Sequence, residues 1–219
     1  IYQDESTRPR CGRRCCPGIA LMSIKRIFDL FFSTVGIILL LPVLIPVAIA
    51  IKIDSTGPIF FRQVRVGRYG DTFRIFKFRT MVTDAEKSGP LVSSGDDPRI
   101  TRVGAFLRKY KIDELPQLLN VINGEMSLVG PRPEVPKYVE IYQEDYKSIL
   151  SARPGITDYA SLEFKDENPL LKSSDNPEKK YIEEILPIKI KYYKKYIADQ
   201  SISTDFSLIL RTIKGIFFS

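Results

Sequence analysis

The chain has 219 residues, 44% of them hydrophobic, and carries a formal charge of +7 from 33 Lys and Arg against 26 Asp and Glu. That length holds one domain with a real core, and the charge favours an anionic partner: nucleic acid, an anionic membrane surface or a phosphorylated substrate. Histidine is absent, so imidazole acid–base catalysis, Ser-His and Cys-His pairs and imidazole metal sites are excluded, which leaves carboxylates, Lys, Arg, Tyr and hydroxyls to carry any chemistry.

Residues 1–21 hold all three cysteines, Cys11, Cys15 and Cys16, so the body of the chain is not stapled by disulfides. This segment is Arg-rich and irregular and reads as a leader or tag-like piece, with Met22 a natural start. No small-residue cleavage site follows the next apolar run, and export is not expected.

From Leu30 to Ile51 there are 22 residues without a charge. As a straight helix they would extend about 33 Å, enough to cross a hydrocarbon core of about 30 Å. Pro42 and Pro46 lie past the middle, and each removes a backbone hydrogen bond, so a break or kink is expected near Leu41 and Pro42. Lys25 and Arg26 precede the run, while Lys52, Arg62, Arg65 and Arg68 follow it. Basic residues at both ends fit a helical hairpin that enters and leaves by one membrane face, and an ordinary single-pass anchor stays open.

Beyond the apolar run, "PIFFRQVRVGRYGDTFRIFKFRTM" alternates apolar and basic residues about a Gly-containing turn and predicts a β-hairpin of residues 59–66 and 72–79. "SGPLVSSGDDPRIT" reads as an exposed loop. Two short helices are expected in "VGAFLRKYK" and "DELPQLLNVIN", the second capped by Gly124. Residues 135–150 read as one helix, "ARPGIT" as a loop, and residues 178–198 and 204–218 as two further helices. Those last two mix Lys and Arg with Tyr, Ile and Phe, which suits either a membrane-interface helix or an amphipathic core helix. The fold class is therefore α+β.

"KIDELPQLLN" sets Asp113 and Glu114 side by side at a helix start, where a capping role would suffice for an arbitrary pair. Three sets of residues could meet in one site: these carboxylates, the hairpin residues Arg62, Lys77 and Arg79, and Arg132 within Pro131-Arg132-Pro133. Carboxylates beside a cluster of cations are what phosphoryl transfer from a nucleoside diphosphate needs: one carboxylate to attack phosphorus, another for Mg²⁺, and guanidinium groups to neutralise the oxygens.

"FKFRTM", "KIDELPQLLNV", "GEMSLVGPRPE" and "RPGIT", in that order behind a broken apolar helix, resemble the bacterial sugar transferases, the monotopic polyprenol-phosphate phosphoglycosyl transferases, in a short catalytic-core form. The resemblance runs from about Lys25 to the C-terminus. It implies a re-entrant membrane helix over residues 22–54 and a cytoplasmic catalytic domain over residues 55–219, at the cytoplasmic face of the bacterial inner membrane. Asp113 would be the nucleophile, attacking the β-phosphate of a UDP-sugar to give an aspartyl phospho-sugar and UMP, and undecaprenyl phosphate would then take the sugar phosphate. Glu114 would bind Mg²⁺, and the loop of Pro131, Arg132 and Pro133 would face the donor; Arg62, Lys77 and Arg79, from the reading of the basic hairpin, are expected to bind substrate beside it. Such an enzyme starts a glycan or exopolysaccharide on its lipid carrier.

Members commonly have Ser-Pro at the helix break, where this chain has Leu41-Pro42, and larger members carry upstream helices and a domain with no counterpart here. A non-enzymatic membrane adaptor that binds anionic lipid is the alternative, but it gives Asp113 and Glu114 no work beyond capping. A nucleic-acid binder, which the basic hairpin alone would permit, has no use for the apolar run.

Overall fold

The computed structural model describes residues 17–85, 97–163 and 176–217, with side chains from residue 24 to residue 215. The leader expected over residues 1–21 and most of the loop from Ser88 to Thr101 therefore lie outside the described residues.

Helix α1 (Pro17–Asp54) is unbroken. No break occurs at Leu41–Pro42: the helix runs continuously past Pro42 and Pro46, which stand about one turn apart. Both ends of α1 are fastened to the same body. Near its start, Lys25 Nζ donates to Val129 O (3.1 Å), Arg26 donates to Val121 O (2.6 Å) and Ile122 O (3.0 Å), and Asp29 accepts from Leu128 N (3.2 Å). At its far end Ile51 packs with Phe78 and Leu107, and Asp54 accepts from Val103 N (3.0 Å). The opposite face is apolar and bare, including Ile27, Phe31, Ile38, Leu39, Ile45 and Ile53.

Strands β1 (Phe60–Val66) and β2 (Thr72–Phe78) form the expected antiparallel hairpin, with Phe61 opposite Lys77 and Arg62 opposite Phe76. Its inner face, with Phe73 and Ile75, packs on Val121 and Met126. Helix α2 (Arg102–Lys109) is capped by Thr101, whose hydroxyl accepts from Gly104 N. Gly104 is needed there, since a Cβ would lie 2.0 Å from Thr80 O. A 3₁₀ turn (Ile112–Glu114) leads into α3 (Gln117–Asn123), which Gly124 ends at φ 87°.

"ARPGIT" is not a plain loop. Its last three residues are β4 (Gly155–Thr157), paired in parallel with β3 (Ser127–Val129). Both strands are three residues long, too short for alternation to show in sequence. The single helix expected over residues 135–150 is two, α4 (Pro136–Ile141) and α5 (Gln143–Ile149), separated at Tyr142, whose ψ of 37° is not helical.

After α6 (Tyr159–Glu163), α7 (Pro177–Lys180) continues through a π turn (Tyr181–Ile185) into α8 (Leu186–Asp199), and α9 (Ile202–Phe217) follows. Leu186, Tyr193 and Tyr196 of α8 are fully buried, whereas α9 buries Asp205 and Leu208 and leaves Phe206, Leu210 and Ile213 exposed. Lys25 of α1 pairs with Asp205, which also accepts from Tyr196 Oη (2.7 Å), joining α1, α8 and α9.

Candidate active site

The two carboxylates are held by a backbone device at Lys111, whose φ of 56° turns the chain sharply out of α2 into the 3₁₀ turn. Asn120, fully buried in α3, fixes that turn against the hairpin: its Nδ2 donates to Arg74 O (3.0 Å) and its Oδ1 accepts from Phe76 N (2.8 Å). Lys77, next along β2, then reaches Glu114 Oε1 at 2.8 Å.

The third element arrives on β3. Gly130 and Gly155 let the two short strands cross closely, since a Cβ on Gly155 would stand 2.0 Å from Gly130 N. Gly155 N donates to Pro131 O (2.9 Å), Arg132 N donates to buried Asp158 (3.2 Å), and Pro133 O accepts from Arg65 Nη1 (3.1 Å). The loop so fixed lets Arg132 grip Glu114 with both ends of its fork: Nη1 donates to Oε2 (3.2 Å) and Nη2 to Oε1.

The adjacent carboxylates meet opposite conditions. Burial alone would raise the Glu114 carboxyl, but Arg132 and Lys77 hold it well below the usual carboxylate range. Burial pushes Asp113 up, and the charge on Glu114 adds to the shift against the pull of Lys77 and Arg108. Asp113 Oδ1 is buried without a hydrogen-bond partner. Such a group is a carboxylate with an uncommitted oxygen beside a cationic wall, suited to attack on an anionic electrophile.

The other residues singled out in sequence lie elsewhere. Arg62 is on the opposite face of the hairpin from Lys77, stacked 3.4 Å over the Phe76 ring, with Nη2 donating to Arg74 O. Arg79 is buried at the end of α1, donating to the carbonyls of Ser55 (2.6 Å), Ile51 (3.3 Å) and Thr56. It caps that helix, lying against Gly57, where no Cβ would fit. Arg65, Arg108 and Asp158 were not singled out for the site. Arg65 and Asp158 support the Pro131–Pro133 loop, and Arg108, joined to Thr80 Oγ1 (2.9 Å), acts electrostatically on Asp113.

A divalent cation fits this donor set only with help from a ligand. Among the described residues no group of three or more His, Cys, Asp or Glu could hold a metal. Glu114 Oε1 already accepts from Lys77 and Arg132, whereas Oε2 accepts once and keeps one free direction. One or two carboxylates completed by substrate phosphates and water are an ordinary Mg²⁺ arrangement.

Residues 20–219 match the family model for bacterial sugar transferases. The chain is 39% identical over 202 residues to the undecaprenyl-phosphate glucose phosphotransferase of Komagataeibacter xylinus, covering 89% of this chain and 36% of that protein. It is 36% identical over 198 residues to the UDP-N-acetylgalactosamine-undecaprenyl-phosphate N-acetylgalactosaminephosphotransferase of Aeromonas hydrophila, covering 88% and 43%. To the exopolysaccharide production protein PSS of Rhizobium leguminosarum bv. phaseoli it is 44% identical over 147 residues, covering 64% and 73%. The chain thus spans about two fifths of the length of the first two relatives.

Proposed function

Because the chain belongs to the bacterial sugar transferase family, we propose that it moves a sugar 1-phosphate from a UDP-sugar to undecaprenyl phosphate and releases UMP. The observation that carries this reading is the division of labour between neighbours: Glu114 is committed to Arg132 and Lys77, while Asp113 Oδ1 is buried and unpartnered.

Asp113 attacks the β-phosphorus of the donor. A new bond forms between its carboxylate oxygen and phosphorus, the bond from phosphorus to the oxygen bridging the α-phosphate breaks, and the electron pair leaves with UMP. No proton has to move, which suits a chain without histidine. The phosphate of the lipid carrier then attacks the same phosphorus and expels the Asp113 carboxylate. Arg132 and Lys77 neutralise charge on the diphosphate oxygens, and the rigid Pro131-Arg132-Pro133 loop orients the donor. Mg²⁺, held by Glu114 with donor phosphate oxygens, would supply further positive charge there.

The bare apolar face of α1 and the exposed Phe206, Leu210 and Ile213 of α9 support association with a membrane. Attachment of both ends of α1 to one body favours a helix that enters and returns on one side over one that crosses. We assign that side to the cytoplasmic leaflet of the inner membrane.

The test is to incubate detergent-solubilised protein with Mg²⁺, undecaprenyl phosphate and a panel of UDP-sugars, including UDP-glucose and UDP-N-acetylgalactosamine, and to measure UMP. Release with at least one donor is expected. Folded protein that releases none from any donor would return the chain to the membrane-adaptor reading.

A further inference from the structure

Gln117 is 1% exposed, and its Nε2 has no hydrogen-bond partner. A buried donor left unpaired weakens a fold, and a ligand oxygen that accepts from it would offset that cost. Its position on α3 indicates where. Gln117 opens α3, three residues before Asn120 on the same helix face, and Asp113 lies in the 3₁₀ turn that leads into it. Asn120 bonds the backbone of β2 at Arg74 and Phe76, and Val121 packs on Phe73 and Ile75. Gln117 therefore stands along the chain between the Asn120 anchor on β2 and the 3₁₀ turn whose Glu114 is held by Lys77 and Arg132. An orphan acceptor, Asp113 Oδ1, and an orphan donor, Gln117 Nε2, thus stand four residues apart at the head of α3.

We infer that Gln117 is a neutral hydrogen-bond donor to the phosphoryl group attacked by Asp113, a role that rests on the reaction proposed above. A non-bridging oxygen of the β-phosphate accepts from Nε2 while the Asp113 oxygen bonds to phosphorus and UMP leaves with the electron pair of the broken bond. Neutrality matters. A further cation at this position would pair with Asp113 and blunt its attack, whereas an amide donates without forming an ion pair.

The experiment compares wild type with Gln117→Met, using Mg²⁺ and whichever UDP-sugar gives UMP with wild type, in single-turnover reactions lacking undecaprenyl phosphate, with thermal unfolding measured alongside. The role predicts a UMP burst slower by about 10²-fold, the size of effect seen when one transition-state donor is lost. The donor concentration giving half the maximal rate stays the same, and the unfolding temperature equals or exceeds that of wild type, because the orphan donor is gone. A burst rate within about twofold of wild type overturns the role. So does a slower burst matched by a lower unfolding temperature, which marks a packing residue. Gln117→Leu is read by the same criteria where the methionine variant does not fold. A wild-type protein that turns over with undecaprenyl phosphate but shows no burst without it overturns the covalent reaction itself, a failure distinct from an unaffected Gln117 variant.

Discussion

Asp113 and Glu114 are consecutive residues whose carboxyl groups are driven in opposite directions: burial and the Glu114 charge raise Asp113, while Arg132 and Lys77 overcome burial to depress Glu114. Paired titratable groups pushed apart in this way mark a division of roles.

Asp113→Asn should abolish turnover without weakening the fold. A carboxyl raised in the folded state contributes stability that is fully present below its unfolded value of about 3.9 and is lost as pH rises through the folded value. At neutral pH the ionised Asp113 therefore weighs against folding, and the amide relieves it. We expect Tm at pH 7 to be no lower than wild type, with UMP release at background. Wild-type activity should also fall on acidification at a pH above the usual aspartate range, which a pH–rate profile reads directly.

Glu114→Gln should behave differently. The Glu114 pKa is depressed, so its stabilisation is present above the ordinary carboxylate value of about 4.3 and is lost as pH falls through the depressed one. Removing the charge leaves Lys77 and Arg132 without their partner in a largely buried setting, at a cost of about 3 kcal/mol, read by urea unfolding at pH 7. The same variant should require more Mg²⁺ for half-maximal activity.

Arg79→Ala tests the helix-capping role against a donor-binding one. The three α1-end carbonyls that it serves would lose a buried cationic donor, destabilising the protein by about 2–3 kcal/mol while the KM for the UDP-sugar stays near wild type. A raised KM with unchanged unfolding would return Arg79 to the substrate.

The topology of α1 can be read from single cysteines at positions 23 and 52, with Cys11, Cys15 and Cys16 replaced. Both should react with a membrane-permeant maleimide in intact cells and resist an impermeant one. Opposite behaviour at the two positions would mean a crossing helix.

Much of the site could be read in the sequence because it is written in contiguous pieces. Asp113-Glu114 and Pro131-Arg132-Pro133 are short rigid motifs, and Lys77 lies in a strand that the hairpin pattern predicts, although the apolar–polar alternation slips at Phe76. The direction of Arg79 was not legible for a physical reason. It shares parity with Lys77, but β2 ends at Phe78, so alternation no longer governs its direction. The position of Arg62 depended on register: Phe61, not Arg62, stands opposite Lys77. The parallel pairing of β3 and β4 that fixes the Arg132 loop joins two three-residue segments through paired glycines, a long-range contact with no periodic signal. Continuity of α1 through Pro42 and Pro46 was equally illegible, since it depends on how the rest of the helix is held.

The central claim is a covalent phospho-sugar on Asp113, and the most direct measurement is the intact-protein mass after incubation with Mg²⁺ and the active UDP-sugar in the absence of undecaprenyl phosphate. We expect a gain equal to one sugar phosphate, located to the peptide containing Asp113, absent from Asp113→Asn and discharged when undecaprenyl phosphate is added. An unchanged mass at all times, in protein that releases UMP once the lipid phosphate is present, would contradict the account and leave direct transfer between the two substrates in its place.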